Sequence, residues 1–155
     1  MLAIELFGLM KNIYYQGYKI KFMNENVKSE IIRLHQFFTL WFNGRIEEQE
    51  IDQFISVIHD DFILITPNGQ IIDKSEIIEA IKKSYNSKEF ENNFKIVIVN
   101  VRVTHSSENY FQAMYNEVQY EDNLKTNRLS SVLFKINEKL ENKLEWIHVH
   151  ETWVN

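Results

Sequence analysis

The stretch from Trp146 to Trp153, WIHVHETW, packs two histidines, a glutamate, a threonine and two tryptophans into eight positions. Successive side chains on a strand leave opposite faces. Read as a strand, the stretch separates Ile147, Val149, Glu151 and Trp153 from Trp146, His148, His150 and Thr152. The first set is the more apolar and is expected to face the core, which would carry one carboxylate, Glu151, into it.

Working backward from there, period-two patterning marks further strands at about 94–104, 110–121 and 127–137, with the last at 144–154, joined by polar turns at Ser106-Ser107, Asp122-Asn123 and Glu138 to Lys143. The first half has a different rhythm. Val27, Ile31, Leu34, Phe38 and Trp41 fall on one helix face, with Asn24 or Asn26 as its cap and Gly44 as its stop. A shorter helix should follow with Ile51, Phe54, Ile55 and Ile58 as its stripe, then a strand in DDFILIT and a turn at Pro67-Asn68-Gly69. A third helix is expected where Asp73 and Glu76 have capping-box spacing and Ile77, Ile78, Ile81 and Tyr85 supply the buried face. Helices first and a meander after them imply an α+β domain, three helices on one face of a curved antiparallel sheet.

The remaining properties bound the function. A chain of 155 residues fits one domain with a real core. It has no cysteine, which excludes disulfides, thiolate metal sites and thiol nucleophiles. Net charge is −5 and no basic stripe with interleaved aromatics occurs, so neither nucleic acid nor a membrane surface is an expected partner. Lys11, Lys19 and Lys21 interrupt the only apolar run near the N-terminus. A cytoplasmic protein is the simplest reading. Residues 1–23 are apolar without a clean helical period and are read as an extension, either loosely packed or upstream of an alternative start at Met23, ahead of a domain at 24–155.

The same alternation gives Ser130, Val132, Phe134 and Ile136, with Arg128, as the inward set of strand 127–137, and Tyr110, Met114, Asn116, Val118 and Tyr120 as that of strand 110–121. Asn116, Arg128 and Glu151 are then polar residues on apolar inward faces, hence pocket candidates. If Arg128 reaches Glu151, an ion pair with a depressed carboxyl pKa follows; if not, burial should raise it and suit a general acid or base. His148 and His150 share the other face, where Glu117 could complete a metal site, although the spacing alone is a weak signal. The competing explanation is an interface. Val97, Val99, Val101 and Val103 make a second apolar row on strand 94–104, opposite Phe94, Ile96 and Ile98, as expected where a sheet meets another subunit in a homodimer.

LWFNGRI, HDDFILITPNGQII, VQYEDNLKTNRLSSVLF and LEWIHVHETW together resemble the NTF2-like superfamily of cone-shaped α+β folds, over roughly Val27 to Trp153. The closest likeness is to SnoaL-like and DUF4440-type small bacterial proteins, with a distant one to the association domain of calmodulin-dependent kinase II. The resemblance implies a cone between helices and sheet. It argues against ketosteroid isomerase chemistry, since the position of that family's base holds Thr66 and that of its oxyanion tyrosine holds Phe37. The arginines lining the kinase association domain's cone fall at Asn116, Val132 and Trp153, so its anion preference is not carried over. The expectation is a dimeric domain whose cone holds a small, largely apolar molecule, lined by Phe38, Trp41, Thr66, Asn116, Arg128, Glu151 and Trp153, with no cofactor. Two alternatives stay open: a SnoaL- or dehydratase-type enzyme using Glu151 as acid or base, and an association module.

Overall fold

The computed structural model describes residues 2–88 and 93–154, with side chains at 9–11, 13, 14 and from 16 onward. Helix α1 runs from Leu2–Phe42, and the expected stripe holds: Val27, Ile31, Leu34 and Trp41 are buried and Phe38 is half-buried. The helix does not begin at Asn24 or Asn26. It continues through them, so neither is a cap, and the Asn26 amide instead donates to the Asn142 carbonyl at 3.1 Å. No proline interrupts residues 2–26, and backbone amides already bonded one turn back need no capping side chain. At 1.5 Å per residue α1 is about 60 Å long, more than the sheet can cover. Burial along it begins at Met23, while Leu9, Ile13 and Tyr14 are exposed. The helix stops at Gly44, whose φ of 60° is left-handed and whose amide donates to the Trp41 carbonyl.

A 3-10 turn at Glu48–Ile51 leads into the short α2, Asp52–Ile55, which buries Phe54; Ile58 already belongs to a strand. Strand β1 (Ile58–Ile65) turns at Pro67-Asn68-Gly69 into β2 (Ile71–Asp73), a three-residue strand too short to carry an alternation signal. Helix α3 (Lys74–Lys83) opens with the expected capping box, Asp73 accepting from the Glu76 amide at 2.9 Å and Glu76 from the Asp73 amide at 3.0 Å. Then come β3 (Lys95–Ser106), β4 (Tyr110–Glu121), β5 (Leu124–Ile136) and β6 (Leu144–Trp153). The six strands lie in the order β2-β1-β6-β5-β4-β3. All pairs are antiparallel except β1 with β6, which is parallel, so the last strand of the chain lies next to the first.

The register shifts at four places, and two of these shifts reset which residues face inward. In β6, Phe134 pairs with Trp146 and Leu133 with His148, leaving Ile147 as the extra residue. Trp146 is therefore a core residue, contrary to strict alternation, while Val149 and Glu151 face inward as expected. In β3, Asn100 takes a φ of 57°, and the register shifts between Val99 and Arg102. The valine row is split there. Val97 and Val99 stay on the outer face, whereas Val101 and Val103 turn to pack against the core.

The inner face of β4 also differs from expectation. Phe111, Ala113, Tyr115 and Glu117 are buried, and Tyr110 is exposed, so the odd-numbered set points in. The outer set, with Met114 and Val118, is the more apolar in places. Hydropathy misassigns a strand whose inner face carries a partnered carboxylate and whose outer face is itself oily.

Candidate functional site

Between helices and sheet lies a cavity of about 350 Å³. Helix α1 contributes Leu34, His35, Phe38 and Phe42 to its wall, spaced to share one face, while β1 adds Phe62 and Leu64 and α3 adds Ile77 and Ile81. Phe54, Phe94, Trp146 and Val149 complete an apolar and largely aromatic lining.

Register builds the polar end. Glu117 of β4 pairs directly with Arg128 of β5, and Ser130 one step inward sits between Tyr115 and Glu151. His35 reaches this row from α1: its Nε2 lies 3.2 Å from Glu117 Oε2, and its Nδ1 lies 2.7 Å from the Ile31 carbonyl oxygen. Both nitrogens face acceptors, an arrangement that favours a hydrogen on each and so the imidazolium. Burial pushes the His35 pKa down, but the hydrogen bond and charge of Glu117 outweigh it and the value stands above normal. Burial would raise Glu117; the bond and charge of His35, helped by Arg128, instead hold its carboxyl down at about 2. This fully enclosed pair is joined by Arg128, whose Nη1 donates to Glu151 Oε2 at 3.2 Å and lies 3.9 Å from Glu117 Oε1.

Glu151 combines the two outcomes expected for it separately. It is bonded to Arg128, yet its pKa is raised, by burial first and by the charge of Glu117 second, against the pull of Arg128. The Tyr115 phenol, buried beside both carboxylates, is pushed well up by burial and then by their charges.

Of the residues read from sequence as pocket candidates, Phe38, Arg128 and Glu151 line this cavity together. Trp41 does not; it is core, its indole N–H donating to the Ile81 carbonyl at 2.7 Å. Thr66 serves the β1–β2 turn, its hydroxyl accepting from the Gln70 amide at 3.1 Å. Asn116 lies on the outer face, bridging Asn100 at 3.1 Å and Asn127 at 3.3 Å. Trp153 shares the row of Glu117 and Arg128 but sits past the cavity, 44% exposed, with the Arg128 guanidinium 5.2 Å from its ring centre. The metal alternative comes apart: Glu117 faces in while His148 and His150 face out, so the sheet stands between them. Among the described residues no group of three or more such side chains could hold a metal.

His35 was passed over in the sequence, although the signal was present. It lies four residues after Ile31 and three before Phe38, within the buried stripe, and a histidine there needs a partner.

Solved structures share this architecture. An NTF2-like protein of unknown function from Pseudomonas aeruginosa superposes with a TM-score of 0.76 at 22% identity, covering 84% of this chain and 99% of that one. A protein with a cystatin-like fold from Caulobacter vibrioides gives 0.58 at 16%, covering 84% and 91%. An NTF2-like protein from Novosphingobium aromaticivorans gives 0.62 at 9%, covering 84% and 81%. At these identities the likeness establishes the fold alone, the NTF2-like, cystatin-like architecture of those structures. No curated protein matches the chain. The family described as "Sucrose-6-phosphate phosphohydrolase C-terminal" matches residues 27–155, the whole domain from the first buried turns of α1 to its last strand, and the chain belongs to that family.

Proposed function

We propose that the domain binds a small, largely apolar molecule in its cone, and that two copies associate through the outer face of the sheet. The observation that carries the first part is an open cavity with aromatic walls and several charged groups converging at one end, the usual composition of a small-molecule site. Stability alone gives no reason for it. Desolvating four charged groups costs several kcal/mol, and apolar side chains of similar volume would pack at least as well. The family description raises sucrose and its 6-phosphate as occupants. A disaccharide needs hydrogen bonds along most of its outline, and these walls offer mainly hydrocarbon, so neither is the occupant proposed.

N-phenyl-1-naphthylamine, a neutral fluorophore that brightens in apolar cavities, tests this reading. One-to-one binding is expected, with loss in Leu64→Trp, which fills the cone; binding that is absent, or unaffected by that variant, counts against it. For the dimer, Val97 and Val99 remain 37% and 39% exposed on the outer face. Light scattering should give twice the chain mass and Val99→Glu should halve it, whereas a wild-type monomer removes the dimer from the proposal.

The raised Glu151 carboxyl, facing the cavity, favours a second reading in which it exchanges a proton with a substrate. Recovery of a bound molecule chemically unchanged supports binding alone. Conversion that stops in Glu151→Gln supports the enzyme.

A further inference from the structure

We infer that the cone selects uncharged ligands that donate a hydrogen bond from an apolar ring system, and that it rejects anions, phosphate esters among them. The inference rests on the ligand-binding reading above. Four ionised groups close the polar end, and they cancel. Both ring nitrogens of His35 face acceptors, which favours its cation, and that charge is met by Glu117 at 3.2 Å. Arg128 is met by Glu151 at 3.2 Å, with Glu117 next nearest at 3.9 Å. The other cation on the cavity wall, Lys88, lies 2.8 Å from Glu121.

An arriving anion would therefore shed its water and meet two carboxylates, with each cation on the wall already held by an acid. Such a group loses several kcal/mol of solvation with no cation free of a carboxylate to replace it. A ligand cation fares little better: it too would shed its water, and the carboxylate it approaches holds the Arg128 guanidinium at 3.2 Å, so like charges would meet. A neutral donor is different. Arg128 engages only Oε2 of Glu151, and among the described residues Oε1 has no protein partner. An N–H or O–H can satisfy that oxygen, whereas a carboxylate or phosphate dianion has no hydrogen to give. Specificity comes here from repulsion as much as from attraction.

Displacement of N-phenyl-1-naphthylamine at about pH 6, where an ordinary carboxyl is ionised and His35, raised above 6.5, keeps its proton, tests the claim with ligands of one shape. 1-Naphthamide should compete at least about ten-fold more strongly than 1-naphthoate, 1-naphthyl phosphate or 1-naphthylmethylammonium. A charged ligand that competes as well as the amide overturns the inference while leaving the cone a binding site. Failure of the fluorophore and of every competitor overturns the binding reading itself. In Glu151→Gln, shown folded by circular dichroism, the preference of amide over naphthoate should shrink to about three-fold or less. An undiminished preference in that variant removes Glu151 as its cause.

Discussion

Two buried carboxylates, Glu30 on α1 and Glu117 against it, lie along the C-terminal third of that helix, and their surroundings differ in one respect. Glu30 lies 1% exposed and is saturated: Arg33 donates twice, at 2.8 and 2.9 Å, the Asn142 amide at 2.8 Å and the Trp146 indole at 3.0 Å. Glu117, barely a turn and a half further along the helix by way of His35, is also partnered, but its row continues through Arg128 to Glu151 and an open cavity. The first cluster pins helix to sheet. The second spends similar groups on a surface where a ligand can sit. Charge inside a protein is thus better classified by what lies beyond its last partner than by how deeply it is buried.

Substitution can separate the two. The largest loss is expected for His35→Phe, which leaves Glu117 enclosed with Arg128 as its remaining cation at 3.9 Å; urea unfolding should show about 3 to 5 kcal/mol. The double variant His35→Phe/Glu117→Leu should recover most of that, and a double variant as unstable as the single contradicts the pairing. Glu30→Ala should cost somewhat less, about 2 to 3 kcal/mol, because Arg33 can turn to water while the Trp146 and Asn142 donors are stranded. Its ligand affinity should stay within about two-fold of wild type. Glu151→Gln should behave conversely, changing stability by no more than about 1 kcal/mol while altering ligand preference.

Acidity tests the second cluster in another way. His35 titrates above 6.5 in the fold, so its contribution is complete below that value and is lost as pH rises through the folded pKa. Glu117 is depressed, so its contribution is present above the ordinary carboxyl range and is lost as pH falls toward about 2. The raised Glu151 contributes below the ordinary carboxyl range and loses that contribution as pH rises through its own folded value. Stability should therefore peak on the acid side of neutrality, between about 4.3 and 6.5, and decline above it. In His35→Phe the alkaline decline should flatten; an unchanged slope assigns it elsewhere. The smallest effect belongs to the outer face, where Asn116→Ala should alter stability by about 0.5 kcal/mol or less.

Much of this was legible in the chain. The α1 stripe, the capping box, Gly44 and the strands β3 to β6 follow from helical spacing, alternation and turn chemistry, which are local. The inner row of β5 and Val149 and Glu151 of β6 face inward as alternation implies, and Arg128 lies on the cavity wall, whereas Trp153 ends beyond it. What escaped depends on more than one element. The extra residue at Ile147 puts both Trp146 and Val149 inside, and Asn100, an asparagine able to take positive φ amid valines, splits a row that looked continuous. Glu117 was placed outside because a buried carboxylate looks wrong until its cation is known, and that cation, His35, sits 82 residues earlier in sequence.

The most direct test is a crystal structure of the chain soaked with 1-naphthamide. The account requires the naphthalene against the aromatic wall that includes Phe38 and Phe62, with the amide nitrogen about 3 Å from Glu151 Oε1. A ligand on the outer face beside His148, or a cone closed by side chains with no ligand in it, would contradict it.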